Sequence, residues 1–185
     1  MLGKPKNLAI PMGGFGLIEL LITISLLSIL TTLAVDNFGT WIQDTKSRSV
    51  AESLQNGIRL AQTEAVKQSQ KTSFILKGKN WTVQTTPKNS SSSTTSQTIH
   101  NGVFADAGLV TISEKNKTSP TTQLTFNSIG RLTLPTSDVN YIVSNSHGKR
   151  RMQVSITIAG KMRMCDPDKN LNAANPDGVD ANGSC

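Results

Sequence analysis

Only two histidines, two cysteines and one tyrosine occur in the 185 residues, and aromatics make up 4% of them. That scarcity excludes a histidine-rich metal centre and a broad aromatic platform for stacking single-stranded nucleic acid. No CxxC or HExxH spacing occurs. His100 and His147 have no triad partners in motif context. Gly148-Lys149 lacks the upstream glycine of a phosphate-binding loop. Asp166, Asp168 and Asn170 open like a calcium loop, but Leu171 stands where that loop needs glycine. The expectation is a protein without enzymatic activity, cofactor or metal. Charged residues are sparse too, at 17%, yet Lys and Arg outnumber Asp and Glu by 19 to 12, for a net charge of +7. Proline is absent from 12 to 86, so nothing there forbids a long helix.

What is present is unevenly spread. Residues 15–35, FGLIELLITISLLSILTTLAV, carry one charge, Glu19. As a helix this stretch spans about 32 Å, enough for a bilayer. Lys4 and Lys6 precede it. By the positive-inside rule, the N-terminus stays cytoplasmic and everything after Val35 is exported. A secretory signal cut after Thr32-Leu33-Ala34 would share those features. It would not account for Glu19, because a carboxylate in an apolar span costs about 2.5–3.5 kcal/mol and calls for a partner.

Gly13-Gly14-Phe15-Gly16-Leu17-Ile18-Glu19-Leu20 resembles the prepilin signal of type IV pilins and type II secretion pseudopilins. The resemblance implies a leader of residues 1–14, cut by the prepilin peptidase between Gly14 and Phe15, and N-methylation of Phe15. It also implies that Glu19 pairs with the N-terminal amine of a neighbouring subunit during filament assembly. Gly16 replaces the family's common Thr.

Beyond the apolar run, Trp41-Ile42, Val50, Leu54, Ile58, Ala61, Ala65 and Val66 recur at spacings of three and four. They predict an amphipathic helix over 36–70, continuous with the first, in which Gly39 and Gly57 are weak points. Leu60-Ala61-Gln62-Thr63-Glu64-Ala65-Val66-Lys67 resembles a signature of the FimT and FimU minor pilins and of the H-type pseudopilin of type II secretion.

From residue 71 to 185 the period changes to two, and a β-domain is expected. Residues 72–76 and 80–85 form a first hairpin; 103–112, 123–126, 131–134, 141–144 and 151–158 are further strands, and 161–165 returns from the last. Residues 85–98 hold ten Ser or Thr in fourteen and predict a surface loop. The fold class is α+β, a long N-terminal helix on a mostly antiparallel sheet. Phe126-Asn127-Ser128-Ile129-Gly130-Arg131 resembles a turn of the same minor-pilin family. Gly160-Lys161-Met162-Arg163 resembles the G-R-x-R element of FimT proteins, which receive DNA in natural transformation. Lys161 replaces the first Arg and keeps its charge without the bidentate fork.

Lys149, Arg150, Arg151, Lys161 and Arg163 lie between 148 and 163 with no acid among them. They predict a basic patch for phosphate contact without base reading. A solvated edge strand, or a face meeting another pilin, is the alternative. Acidic Asp166, Asp168, Asp177 and Asp180 follow, to shield the patch or bound it. Cys165 and Cys185 lie in the exported, oxidising half and are expected to pair; two unrelated thiols are the alternative.

The expected role is a minor pilin of the FimT/FimU kind. It would insert once in the inner membrane with its C-terminal domain periplasmic, then join other minor and major pilins in a pilus, with DNA as a candidate partner. The alternative is the H-type minor pseudopilin of a type II secretion system.

Overall fold

A computed structural model describes residues 16–86, 96–104, 108–172, 175–180 and 185, with the side chains of 33–37 outside the description. Gly14 and Phe15, the expected cleavage and methylation site, lie outside the described residues. The chain divides into two compact units between Gly39 and Thr40. Helix α1, Leu17–Gln68, enters both.

In the first unit the apolar side chains of α1 are exposed, Leu17 and Ile18 most of all. The hydroxyls among them are satisfied within the helix. Thr23, Ser25, Ser28, Thr31 and Thr32 donate to carbonyls three or four residues back at 2.7–2.8 Å. Glu19 is exposed, and its carboxylate has no partner among the described residues. Among the described residues no helix is long and apolar enough to cross a membrane. The expected span over 15–35 includes residue 15 and the side chains of 33–35, which lie outside the description.

In the second unit α1 buries one stripe of Val50, Ala51, Leu54, Ile58, Ala61 and Ala65. Two residues expected on that stripe, Trp41 and Val66, are exposed instead. Gly57 is also more than a weak point. A Cβ there would lie 2.9 Å from Phe74 and 3.1 Å from Trp81, so the glycine lets the sheet approach the helix closely.

The strands are β1 Thr72–Lys77, β2 Asn80–Thr85, β3 Gln97–Val103, β4 Val110–Glu114, β5 Gln123–Phe126, β6 Leu132–Leu134, β7 Val139–Asn145, β8 Met152–Ile156 and β9 Met162–Cys165. They form a five-stranded sheet in the order β3-β2-β1-β5-β6 and a four-stranded sheet in the order β4-β7-β8-β9. Every strand pair is antiparallel. Phe74, Leu124 and Phe126 of the first sheet join Val139, Tyr141, Val143, Val154 and Ile156 of the second and the helix stripe in one core. Burial alternates strictly along β7, which puts Val139, Tyr141 and Val143 inside. The Tyr141 hydroxyl donates to the Thr121 carbonyl at 2.6 Å, and burial pushes its pKa up.

The single strand expected over 103–112 is two strands in different sheets: Val103 ends β3 and Val110 begins β4. Most of the expected loop over 85–98 lies outside the described residues; Thr85 closes β2, and Gln97 and Thr98 open β3.

Candidate functional site

The three segments of the second unit that carry the pilin resemblance meet at one point. The Gln62 side-chain amide on α1 donates to the Gly130 carbonyl at 2.8 Å and to the Gly160 carbonyl at 2.9 Å. Gly130 closes the turn after β5, and Gly160 closes the turn between β8 and β9. Gly160 has φ +83°, and an added Cβ would collide with the Gly130 carbonyl oxygen, so only glycine fits. The turn is completed by Gly160 N–H to Thr157 O at 2.8 Å and Lys161 N–H to the Thr157 hydroxyl at 3.2 Å. One glutamine thus fixes where the β8–β9 hairpin ends.

That hairpin sets the direction of Lys161 and Arg163. Register pairs Ile156 with Met162, Ser155 with Arg163 and Val154 with Met164. Met162 and Met164 therefore lie on the core, and Lys161 and Arg163 are exposed, as expected. Strand β9 is a sheet edge. Neither cation has an ion-pair partner among the described residues. Both line a cleft of about 300 Å³, together with Asp138, Asn140, Ser155 and Asp180.

A family comparison decides what this arrangement belongs to. The family described as Type II transport protein GspH matches residues 50–160. That span covers α1 from Val50, the Gln62 contact and both turns. The chain belongs to the GspH family. It is a GspH-like minor pilin or pseudopilin, a structural subunit and not an enzyme. The type IV minor pilin FimU of Pseudomonas aeruginosa superposes with a TM-score of 0.51 at 24% identity, over 65% of this chain and 88% of that one. The minor pseudopilin EpsH from the Type 2 Secretion System of Vibrio cholerae superposes with a TM-score of 0.51 at 13% identity, over 67% and 99%. These likenesses show the shared fold, a long helix packed on antiparallel sheets. A search of curated proteins found no match.

The rest of the basic run in this GspH-family chain is held differently from its hairpin end. Asp44 Oδ1 on α1 accepts from the Lys149 and Arg150 backbone amides at 2.8 and 2.9 Å. Gln43 accepts from the Asn145 side chain at 3.0 Å. These two helix residues, which the sequence reading passed over, anchor the segment before β8.

The expected single patch of five cations is divided. Arg151 forms a two-point pair with Asp168, Nε to Oδ2 at 3.0 Å and Nη2 to Oδ1. Arg150 Nε lies 3.9 Å from Asp166, and Lys169 lies 3.8 Å from the same carboxylate. The hydrogen bond from Arg151 holds the Asp168 carboxyl below the usual carboxylate range, and Asp168 raises the Arg151 guanidinium in turn. Lys149, like Lys161 and Arg163, has no ion-pair partner among the described residues.

Cys165 and Cys185 are bridged, with Cα atoms 5.5 Å apart. The segment between them is tied within itself by Asp166 N–H to Asp177 O at 2.6 Å, Leu171 N–H to Val179 O at 2.7 Å and Val179 N–H to Lys169 O at 2.8 Å. Cys185 covers Gln153 and Ser155 on the face of β8 opposite the core. Both residues are buried, at 1% and 6% exposure, so this face is not the open polar surface that alternation alone implies. No group of three metal-ligating side chains occurs among the described residues.

Proposed function

We propose that the protein is a minor pilin of a type IV pilus, made as a prepilin. The prepilin peptidase cuts between Gly14 and Phe15 and methylates the Phe15 amine. The product resides in the inner membrane by one span, with the β-domain in the periplasm, until it joins minor and major pilins in the filament. One observation carries this reading. Within residues 17–32 every hydroxyl is satisfied inside the helix, while the Glu19 carboxylate alone has no partner among the described residues. An unpaired carboxylate on an apolar helix calls for a cation from outside, and a neighbour's N-terminal amine meets that demand. Intact-mass measurement of the membrane protein tests the processing. Loss of residues 1–14 and gain of one methyl group is expected; removal of 1–34 would overturn the reading.

A second reading rests on the edge strand. Lys161, just before β9, and Arg163 on it, both exposed and without ion-pair partners among the described residues, are about 7 Å apart at strand rise, near the spacing of phosphates along one nucleic-acid strand. They support binding of DNA that is weak, indifferent to sequence and dependent on salt. Changing both to Gln should lower affinity for every sequence alike. The slope of log affinity against log salt should flatten by up to about 1.8 for duplex DNA. If the unaltered protein fails to shift DNA at low salt, the filament role remains and the DNA role does not. The competing assignment, an H-type minor pseudopilin, predicts that deleting the gene abolishes protein secretion and leaves pili intact.

A further inference from the structure

Arg151 immediately precedes β8, and strand alternation places it on the same sheet face as Gln153 and Ser155. Ser155 pairs directly with Arg163, and Gln153 with Cys165. Arg151, the Cys165–Cys185 bridge and Arg163 therefore follow one another along one face. From Arg151 to Ser155 is about 13 Å at strand rise. The free Lys161 and Arg163 stand at one end of that line, and the paired Arg150 and Arg151, preceded by the free Lys149, at the other.

We propose that the loop following Cys165 carries an acidic clasp on a larger polyanion-binding surface. Asp168 occupies Arg151 at rest and competes for its fork with the phosphates of an arriving polyanion. The proposal rests on the DNA reading of Lys161 and Arg163 and adds its regulation. Three features make the exchange feasible. The Arg151 and Asp168 side chains are 49% and 43% exposed, and a pair so open to water is held weakly. A guanidinium fork donates to phosphate in the same two-point manner as to carboxylate. Each half is also anchored without the ion pairs: the arginine segment by Asp44, and the loop by its disulfide and its own backbone bonds. Only side chains need to change partners.

The test uses the full chain in detergent with a short DNA duplex, in a salt series. Asp168→Asn should raise affinity several-fold at low salt and steepen the salt slope by about 0.9, one more phosphate contact. Asp168→Glu should behave as the parent. Arg151→Gln should weaken the parent less than Lys161→Gln does, because phosphate must first displace Asp168, and should cancel the gain when added to Asp168→Asn. If Arg151→Gln weakens the parent as much as Lys161→Gln does, Arg151 is already engaged and there is no clasp. An Asp168→Asn chain that matches the parent in both affinity and slope overturns the proposal as well. Where neither chain binds DNA, the polyanion reading itself has failed. Labelling with a guanidine-selective dicarbonyl, mapped by mass spectrometry, then judges the clasp separately. Arg151 should react slowly in the parent and fast in Asp168→Asn, and equal rates would refute it.

Discussion

Gln62 is a neutral side chain doing what a charged one of the same shape does not. Its NH₂ supplies two donors, and two backbone carbonyls 68 and 98 residues away use them. Gln62→Glu replaces the donors with acceptors that face acceptors. Unfolding in urea should show a loss of about 1–3 kcal/mol at neutral pH. The deficit should shrink near pH 4, where a protonated carboxyl regains one donor. An unchanged midpoint at neutral pH would mean that the turns hold without the amide. The segment containing Gln62 was legible in the sequence through its family resemblance. The role was not, because no periodicity encodes a contact between a helix and two distant turns. Asp44 escaped for the same reason: among the polar residues of a long helix, nothing local marks the one that reaches across to Lys149 and Arg150. The cations of the basic run were all visible by type, but which of them stay free depends on how the loop after Cys165 closes back.

At the scale of elements, the helix and most strands follow from hydrophobic period. The helix observed over Leu17–Gln68 nearly matches the expected 15–70, since no proline interrupts it and a stripe runs through its second half. The reading failed at 103–112, where apolar residues on both sides of a crossover look like one strand. Val103 ends a strand of one sheet and Val110 and Ile112 lie in a strand of the other, and period alone carries no sign of a change of sheet. The disulfide segment is the element most open to a direct test. Replacing Cys165 and Cys185 with Ser should cost about 3 kcal/mol in the chain-entropy account, measured by denaturant unfolding of oxidised parent and variant. A loss near zero would mean that the segment's backbone bonds already hold it. Acid should act on other ties. The Gln68 amide bond, with Lys67 beside it, lowers the Glu64 carboxyl. Burial opposes the same shift at Glu114, but bonds from Lys117 at 2.6 Å and the Thr121 amide at 2.7 Å outweigh it. Asp168 is lowered by Arg151. Each folded-state pKa lies below its unfolded value, so this stability is complete above the ordinary carboxylate range of about 4. It fades as pH falls through the lowered values. Urea midpoints should therefore decrease from pH 6 to pH 3, and a flat profile would deny these pairs any part in folding.

For the whole molecule, the decisive experiment concerns Glu19. On the proposed filament role, Glu19→Ala should still insert in the membrane but fail to enter filaments, because the incoming amine finds no counter-charge. Quantifying the variant in membranes and in sheared filaments separates the two steps, and normal incorporation would count against the pairing. The hydroxyls of residues 17–32 bear on this from another side. A stretch that has closed its own hydroxyl bonds asks for nothing from its surroundings except an apolar contact. Lipid tails and the flanks of like helices meet that demand equally well. Passage between the two then leaves nearly all of the segment's solvation unchanged, in either direction. On the proposed filament role, the direction of that passage is set by Glu19 alone, which is paired in one medium and not in the other.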